Sequence, residues 1–236
     1  MHLYLANKLY SSWSLRPWLL MRSKGIAFDE TVIPLYQVDS KARILDVSPA
    51  GKMPCLVDGE IKVWESLAII EYLAERYPDK GIWPADRAAR AHARAVSSEM
   101  HAGFMALRQA CPMNLGKRFS PRDDLGSDVA DNQRRFEGLV SDARRRFGAD
   151  GEFLYGAFSG ADAMFAPLVT RLDTYQFTVA PQTRAYMNAV LDHPAFLQWK
   201  TEALAEPWGI AHYEVGWTPE ETFHTPTITT THTRNS

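Results

Sequence analysis

The 236-residue sequence predicts an α/β domain followed by an all-helical domain. Short apolar runs alternate with helical patterns up to residue 76, two prolines interrupt residues 77–84, and the later segments show helical spacing of apolar residues. We therefore expect a first domain at residues 1–78, a linker at 79–86, a helical domain at 87–215 and a flexible tail at 216–236.

The first domain is predicted to have the order β-α-β-α-β-β-α, which favours a mixed sheet whose last two strands are antiparallel. Its first helix is expected at residues 15–24, with Ser14 as the cap and Pro17 in the first turn, where a proline lacks only an amide hydrogen that has no partner anyway. The strands are expected at 3–6, 28–33, 55–57 and 61–63, and the other helices at 41–47 and 66–76.

The turn before the third strand is the most informative stretch. A proline before an apolar run cannot donate a ladder hydrogen bond, so Met53-Pro54 predicts a sharp turn whose peptide bond is a candidate for the cis form. That turn leaves the Met53 backbone free. Residues 58–59 have the composition of a hairpin loop, and Glu65-Ser66 begins a helix whose first amides lack internal partners.

A serine-rich loop lies between the first strand and the first helix. Ser11 and Ser12 precede a helix whose positive dipole end points back at them, while Ser14 is assigned to capping alone. Hydroxyls at a helix amino terminus favour a negatively charged ligand atom. This arrangement predicts a site for a thiolate.

The turn-proline, the hairpin and the Glu-Ser helix start resemble the amino-terminal, thioredoxin-like domain of glutathione S-transferases. The Ser-Ser-x-Ser-x-Arg run at residues 11–16 resembles the active-site loop of zeta-class and related serine-type bacterial transferases. Trp13 departs from the zeta pattern, which commonly has cysteine there. The resemblance covers about residues 1–210 and implies the glutathione S-transferase architecture, a thioredoxin-like domain plus an all-α domain, and a homodimer.

The resemblance also implies the site residues. Ser11 is expected to donate a hydrogen bond to the glutathione sulfur, with Ser12 as the alternative. The tripeptide is expected to bind to Lys52, Met53, Pro54, Glu65 and Ser66, and the substrate pocket is expected at Tyr10, Trp13, Phe104 and Arg108. His101 is either a helix-surface residue or a pocket residue.

In the helical domain, Ser159 and Asp162 have the spacing of a capping box, and we assign them to folding rather than catalysis. The helices are expected at 85–107, 127–147, 181–191 and 194–205, with a further helix beginning at the capping box.

Other function classes are disfavoured by composition. Cys55 and Cys111 form neither a disulfide framework nor a metal-ligand spacing, and the seven histidines are scattered, so no metal is expected. A net charge of −2, with acidic residues between the arginine clusters, disfavours nucleic-acid binding. No long apolar run predicts a membrane span, and the absence of a signal segment before the first strand favours the cytoplasm.

The resemblance implies an enzyme that activates the glutathione thiol for attack on a small, soft electrophile, as in detoxification. One alternative is a glutathione-dependent cis-trans isomerase of a maleyl compound, which needs cationic side chains such as Arg108 for its substrate carboxylates. A non-catalytic transferase-like binding module is a third hypothesis, against which the presence of Ser11, Glu65 and Ser66 argues.

Overall fold

A computed structural model of the chain describes residues 1–148 and 151–228. The first domain has the predicted order of elements. Their bounds are β1 His2–Leu5, α1 Ser12–Ser23, β2 Asp29–Val32, α2 Ser40–Val47, β3 Cys55–Asp58, β4 Ile61–Trp64 and α3 Ser66–Arg76.

The four strands form one mixed sheet in the order β2-β1-β3-β4. β1 is parallel to β2 and antiparallel to β3, and β3 and β4 form the antiparallel hairpin, which confirms the predicted topology. Leu3 and Leu5 alternate with half-buried residues along β1 and are fully buried, and Leu3 lies opposite Leu56. One apolar face thus fixes the register, because a shift by one residue would turn these side chains outward.

The start of α1 differs from the prediction. The helix begins at Ser12 rather than at residue 15, and its cap is Ser11, whose Oγ accepts the Ser14 N–H at 3.2 Å. Ser14 Oγ instead accepts the Ala6 N–H at 3.0 Å and ties the helix to the end of β1. Pro17 is therefore inside the helix and not in its first turn.

The helical domain follows a turn of 3-10 helix at Pro78–Lys80, after which Ile82 and Trp83 are buried against the protein. The predicted helical character is confirmed, and no helix within 1–148 or 151–228 is both long and apolar enough to cross a bilayer. The bounds are α4 Arg87–Ala102, α5 Met105–Ala110, β5 Lys117–Arg118, α6 Ser127–Phe147, α7 Gly160–Thr174, α8 Pro181–Leu191 and α9 Pro194–Leu204.

A break between α4 and α5 replaces the single helix predicted at 85–107. Phe104 has a left-handed φ of 63°, which ends the α4 geometry directly after Gly103. A side chain at Gly103 would meet the Glu99 carbonyl oxygen at 2.9 Å, so this turn requires glycine. The break returns the chain toward α4, and Arg108 donates back to the Met100 carbonyl.

The predicted capping box is present at the start of α7. One oxygen of the buried Asp162 accepts hydrogen bonds from both the backbone N–H and the hydroxyl of Ser159, each at 2.8 Å. Its other oxygen accepts the Leu154 N–H at 3.1 Å, so the carboxylate also fixes the loop before the helix. Both residues have the structural role that the sequence predicts.

The two domains meet along α1, which packs against α3 of its own domain and against α7 and α9 of the helical domain. Lys8, in the loop before α1, forms ion pairs with Glu30 and with Glu202 of α9. Its ammonium group lies 4.9 Å from the Trp18 ring and 5.3 Å from the Trp199 ring. The position of α1 therefore depends on both domains.

The segment 205–228, which we call the C-terminal strap, follows α9. It contains β6 Trp208–Gly209, a turn of 3-10 helix at Ala211–Tyr213, β7 Glu221–Thr222 and β8 Thr227–Ile228. β7 pairs with β5, and β8 pairs with β6, so paired strands replace the predicted tail up to residue 228. The pairing uses main-chain groups, which a threonine-rich composition does not reveal. Residues 229–236 of that tail lie outside the described residues.

The strap is attached to the first domain through Glu206. The two carboxylate oxygens of this buried residue accept the N–H groups of Lys8, at 2.8 Å, and Leu9, at 3.3 Å. Burial raises the pKa of Glu206 from 4.5 to about 7. The carboxyl group therefore titrates near neutral pH in the folded protein.

Titration of Glu206 is expected to make folding stability depend on pH. Because its pKa is higher in the folded state than in the unfolded state, its contribution to stability is complete below pH 4.5 and is lost as the pH rises through about 7. The loss is on the order of 3 kcal/mol. Urea unfolding at about pH 5 and about pH 7.5, close to the limits of this pH range, measures the loss of stability. Glu206→Gln is expected to remove this pH-dependent contribution. The exposed Glu60→Gln is the control, and equal pH slopes for wild type and Glu206→Gln would contradict the expectation.

Candidate active site

The serine loop lies at one end of the seam between the domains. Ser11 is 8% exposed and Ser12 is 6% exposed, so both hydroxyls are largely shielded from bulk water. Ser12 is the first residue of α1, and the Trp13 N–H in the same turn has no backbone acceptor among the described residues. The helix end thus presents hydroxyls and an amide, all donors suited to an anion.

A cavity of about 220 Å³ opens beside this loop, and we call it the serine cavity. Its floor contains the two serines, and its other walls come from the region of α2, from the turn before β3 and from the strap. The residues that line it are Ala6, Asn7, Tyr10, Ser11, Ser12, Trp13, Leu35, Ile44, Gly51, Lys52, Met53, Ile210 and Tyr213.

The Met53–Pro54 peptide bond is cis, as its position in the turn suggested. Neither the N–H nor the carbonyl oxygen of Met53 forms a hydrogen bond with any described residue. Met53 therefore offers one main-chain donor and one acceptor at the edge of the sheet, which is the arrangement that an extended peptide ligand pairs with.

A second cavity of about 350 Å³, which we call the glutamate cavity, lies on the other side of Trp13. Trp13, Lys52 and Met53 line both cavities, so the two form adjacent parts of one cleft. The glutamate cavity is lined by Trp13, Lys52, Met53, Pro54, Trp64, Glu65 and His101.

Glu65 stands immediately before α3 with a φ of 70°. A left-handed glutamate is conformationally costly, and such strain concentrates at functional sites. Its side chain makes no capping hydrogen bond, so the first amides of α3 remain available to a ligand. The carboxylate lies 3.8 Å from His101 Nε2 and faces the cavity.

Ser66 lies directly below the glutamate cavity and is fully buried. Its Oγ accepts a hydrogen bond from Arg16 Nη1 at 3.2 Å. Ser66 is therefore adjacent to the cleft without lining it, and its contribution at the surface is the backbone at the start of α3.

Three arginines surround the inner side of the cleft, and we call Arg16, Arg108 and Arg171 the arginine cluster. The guanidinium groups of Arg16 and Arg108 lie 4.3 Å and 5.0 Å from the Trp13 ring, and Arg171 reaches Ser12. Within the described residues, no carboxylate lies at ion-pair distance from any of the three. Burial lowers the pKa of Arg16 well below its ordinary value and that of Arg171 to about 10. A positive region thus lies behind the serine loop.

His101 also belongs to this region. Burial, followed by the charge of Arg16, lowers its pKa, so the imidazole is neutral at physiological pH. Its ring meets the Trp13 ring at 5.2 Å in an edge-to-face arrangement. The sequence left His101 open between two roles, and its position in the glutamate cavity favours the pocket role.

Most of the predicted site residues come together, but three do not line the cleft, namely Ser66, Phe104 and Arg108. Phe104 is buried at the α4–α5 break against Phe165, with ring centres 6.5 Å apart. Arg108 stacks on the inner side of Trp13 and lines neither cavity. Both depart from the predicted pocket because the break turns the chain inward.

Sequence reasoning missed the contribution of the strap. Ile210 and Tyr213 line the serine cavity, and Tyr213 stacks on Tyr10 with ring centres 5.6 Å apart. Tyr10 also donates to Glu214 of the strap. No local signal identifies these residues, because they reach the cavity only through the return of the chain past the first domain.

The two cysteines line neither cavity. Cys55 and Cys111 are free and buried, and burial raises the pKa of both thiols, that of Cys111 to about 12. Within the described ranges no three His, Cys, Asp or Glu side chains are grouped so as to hold a metal ion.

Comparison with known proteins agrees with this geometry. The family described as glutathione S-transferase, N-terminal domain, matches residues 10–76. The chain is 30% identical over 197 residues to a probable maleylacetoacetate isomerase from Caenorhabditis elegans, covering 80% of this chain and 90% of that protein. It is 27% identical over 210 residues to a maleylacetoacetate isomerase from Pseudomonas aeruginosa, covering 84% and 94%.

Solved structures share the fold. A glutathione transferase homolog from Burkholderia, solved with bound glutathione, aligns with a TM-score of 0.62 at 24% identity, covering 86% of this chain and 97% of that one. A bacterial zeta-class maleyl pyruvate isomerase aligns with a TM-score of 0.65 at 22% identity, covering 86% and 98%. The chain belongs to the glutathione S-transferase family.

Proposed function

We propose that this protein binds glutathione in the cleft formed by the two cavities and activates its thiol for attack on a small, soft electrophile. One observation carries the proposal: unpaired main-chain groups at Met53, a carboxylate at Glu65 and hydroxyls at the start of α1 all face one continuous cleft. These groups match the peptide, ammonium and sulfur parts of the tripeptide.

The residues present fit glutathione. Glu65 and the free amides of α3 suit the ammonium and carboxylate of its γ-glutamyl end, and Met53 suits the peptide in the middle. Lys52, which lines both cavities, suits a further carboxylate. Glutathione supplies the reactive sulfur, and the chain supplies position and charge stabilisation.

The serine loop has the capacity to ionise a thiol at neutral pH. A free thiol has a pKa of about 8.5, and lowering it by two units requires roughly 2.7 kcal/mol in favour of the anion. A charge-assisted hydrogen bond contributes about 1.5 to 3 kcal/mol, and a helix amino terminus adds about 0.3 to 1 kcal/mol. One hydroxyl at the start of α1 is therefore sufficient, without a general base.

Cis-trans isomerisation of a maleyl compound is the second candidate function, with glutathione added and then released. Two relatives that the chain covers almost completely are named maleylacetoacetate isomerases, and the arginine cluster lies beside the serine loop. Such a substrate carries two carboxylates, which arginine binds well. Arg16 and Arg108 lie against the Trp13 ring and line neither cavity, so binding the substrate carboxylates through these two arginines requires the indole to move.

Calorimetry and turnover test these functions together. Glutathione is expected to bind with measurable heat, and turnover of an aryl halide is expected to exceed that of maleylpyruvate and maleylacetoacetate if transfer is the main activity. The reverse order supports the isomerase. Absence of binding would reject both and leave the non-catalytic module.

We further propose a homodimer in the cytoplasm. β4 is an edge strand with Ile61 51% and Trp64 40% exposed, and a surface cleft of about 850 Å³ lies nearby between α3 and α4. Exposed apolar groups beside a cleft are typical of protein contact surfaces. Light scattering after gel filtration is expected to give twice the 26.6 kDa of the chain.

A further inference from the structure

Trp13 lies where the two cavities meet two members of the arginine cluster. It is the second residue of α1, and it lines both the serine cavity and the glutamate cavity. The guanidinium carbons of Arg16 and Arg108 lie 4.3 Å and 5.0 Å from the centre of its ring. The same indole is thus a wall of the cleft and the contact surface of two cations.

These two arginines have donors without acceptors. Arg16 is fully buried, and its Nη1 donates to Ser66 Oγ at 3.2 Å, but its Nε and Nη2 have no hydrogen-bond partner within residues 1–148 and 151–228. Arg108 donates through Nη2 to main-chain carbonyl oxygens of α4, and its Nε is unpaired within the same ranges. Because buried polar groups are normally paired, these donors favour an anion as their partner.

The ring of Trp13 takes the place of such an anion. Among the described residues, no carboxylate lies at ion-pair distance from either guanidinium group. The charge of Glu65 acts on Arg16, but its carboxylate lies beside His101 Nε2, at 3.8 Å. The face of an indole attracts a cation, so the ring holds both guanidinium groups against itself. Neither arginine lines either cavity.

The serine cavity is suited to an uncharged electrophile. Lys52 is the one cation among the described residues that line it, and Lys52 suits a carboxylate of glutathione itself. A substrate carboxylate buried in this cavity would lose its hydration without gaining a partner, which is costly. Most of the lining residues are apolar or aromatic, including Tyr10, Leu35, Ile44, Ile210 and Tyr213.

We propose that Trp13 determines the charge of the electrophile that this enzyme accepts: its indole keeps the guanidinium groups of Arg16 and Arg108 out of the cleft, so an uncharged electrophile is accepted and one that carries carboxylates is excluded. The inference rests on the proposed function and names the substrate class of the same site. Truncation of the ring opens space between the cleft and both guanidinium groups. The strap shapes the apolar part of the pocket but does not set its charge.

Trp13→Ala tests the proposal through two reactions at saturating glutathione. With an aryl halide, the sulfur–carbon bond forms, the carbon–halogen bond breaks and the halide leaves to solvent. With maleylpyruvate, the thiolate adds to the double bond, whose electron pair moves onto the conjugated carbonyl; after rotation the thiolate leaves and the double bond re-forms, so no co-reactant is consumed. In Trp13→Ala, kcat/KM for maleylpyruvate relative to the aryl halide is expected to rise about 10- to 100-fold, the effect of one hydrogen bond between charged groups. An unchanged ratio would overturn the proposal.

Further variants separate the effect of charge from the effect of space. Trp13→Phe keeps a ring against the guanidinium groups and is expected to keep the wild-type ratio within about threefold. Trp64→Ala removes another indole of the glutamate cavity, one without a guanidinium contact in the described part of the chain, and is expected to leave the ratio equally unchanged. In Trp13→Ala/Arg108→Met most of the gain is expected to be lost. If this double variant keeps the full gain, the enlarged cavity explains it and the proposal is wrong.

An unreactive ligand gives a readout that does not depend on the isomerisation. Succinate, a dicarboxylate, is expected to inhibit aryl-halide turnover about 10-fold more strongly in Trp13→Ala than in wild type. Dimethyl succinate, which carries no charge, is expected to inhibit both proteins equally. Equal inhibition of both proteins by succinate would contradict the proposal. Trp13→Leu, which has no ring, replaces Trp13→Ala in these measurements if that variant does not fold.

Failure of the inference is distinguishable from failure of the proposed function. If wild type binds no glutathione in calorimetry, the proposed function fails and the inference fails with it. If wild type binds glutathione and converts the aryl halide, but Trp13→Ala keeps the wild-type ratio, the inference alone is wrong. If wild type converts maleylpyruvate faster than the aryl halide, isomerisation is the main activity and Trp13 does not exclude carboxylates.

Discussion

Replacing Glu65 by glutamine is expected to weaken glutathione binding about 10- to 100-fold, because hydrogen bonds to charged groups contribute about 1.5 to 3 kcal/mol. The substitution keeps the size of the side chain and the left-handed turn at the start of α3. Among the described residues, it removes the one carboxylate that lines the glutamate cavity. The ammonium group of the γ-glutamyl end then loses its ionic partner.

Calorimetry at pH 7 measures the loss of affinity, and steady-state kinetics shows whether the substitution affects binding or turnover. We expect the KM for glutathione to rise while kcat at saturating glutathione stays close to wild type, because the change affects binding more than the reacting sulfur. Glu75→Gln, at an exposed position on the same helix, is the matched control. A dissociation constant for Glu65→Gln within twofold of wild type would place the γ-glutamyl end elsewhere.

Lys8→Ala is expected to lower the free energy of unfolding by about 3 kcal/mol. Glu202 loses its ion-pair partner, while Glu30 keeps Arg22 at 3.1 Å and the hydrogen bond from the Trp18 indole. The Lys8 side chain is 4% exposed, and its two carboxylate partners belong to β2 and α9. The substitution also removes the contacts of the Lys8 ammonium group with the Trp18 and Trp199 rings. The lost interactions thus lie at the contact between the two domains.

Urea unfolding followed by tryptophan fluorescence suits this measurement, because Trp18 and Trp199 flank the replaced side chain. The double variant Lys8→Ala/Glu202→Ala is expected to be less destabilised than the sum of the single variants, since neither charge of that pair then remains. Lys41→Ala, exposed on α2, is the control. A change below about 1 kcal/mol for Lys8→Ala would show that this contact behaves as a surface pair.

The regular elements were predictable where a local signal was complete. Residues 127–147 and 181–191 repeat apolar positions between clear stop signals, and both helices have the predicted bounds. The start of α1 was not predictable with the same accuracy, because Ser11 and Ser14 both qualify as caps and only the position of β1 selects Ser11. The break at Gly103 was not predicted, because the helical spacing of apolar residues continues through it.

The part of the candidate site that belongs to the first domain was predictable from the sequence. Met53, Pro54 and Glu65 follow from turn and hairpin chemistry close to one another in the chain, and the structure brings them to one cleft. Arg171 contacts Ser12, and Tyr213 lines the serine cavity. Neither could be predicted in this way, because both lie far from the serine loop in the chain. Their roles depend on how α7 and the strap pack, and no short pattern encodes that packing.

The seam along α1 has a consequence for how relatives of this chain change their preferred electrophiles. α7 both supports the serine loop and fills the centre of the helical half, so its residues have little freedom to vary without disturbing the chemistry. The strap closes one side of the serine cavity with Ile210 and Tyr213. New substrate ranges are therefore expected to arise by exchange of residues 205–228, with the serine loop and its supporting helix inherited unaltered.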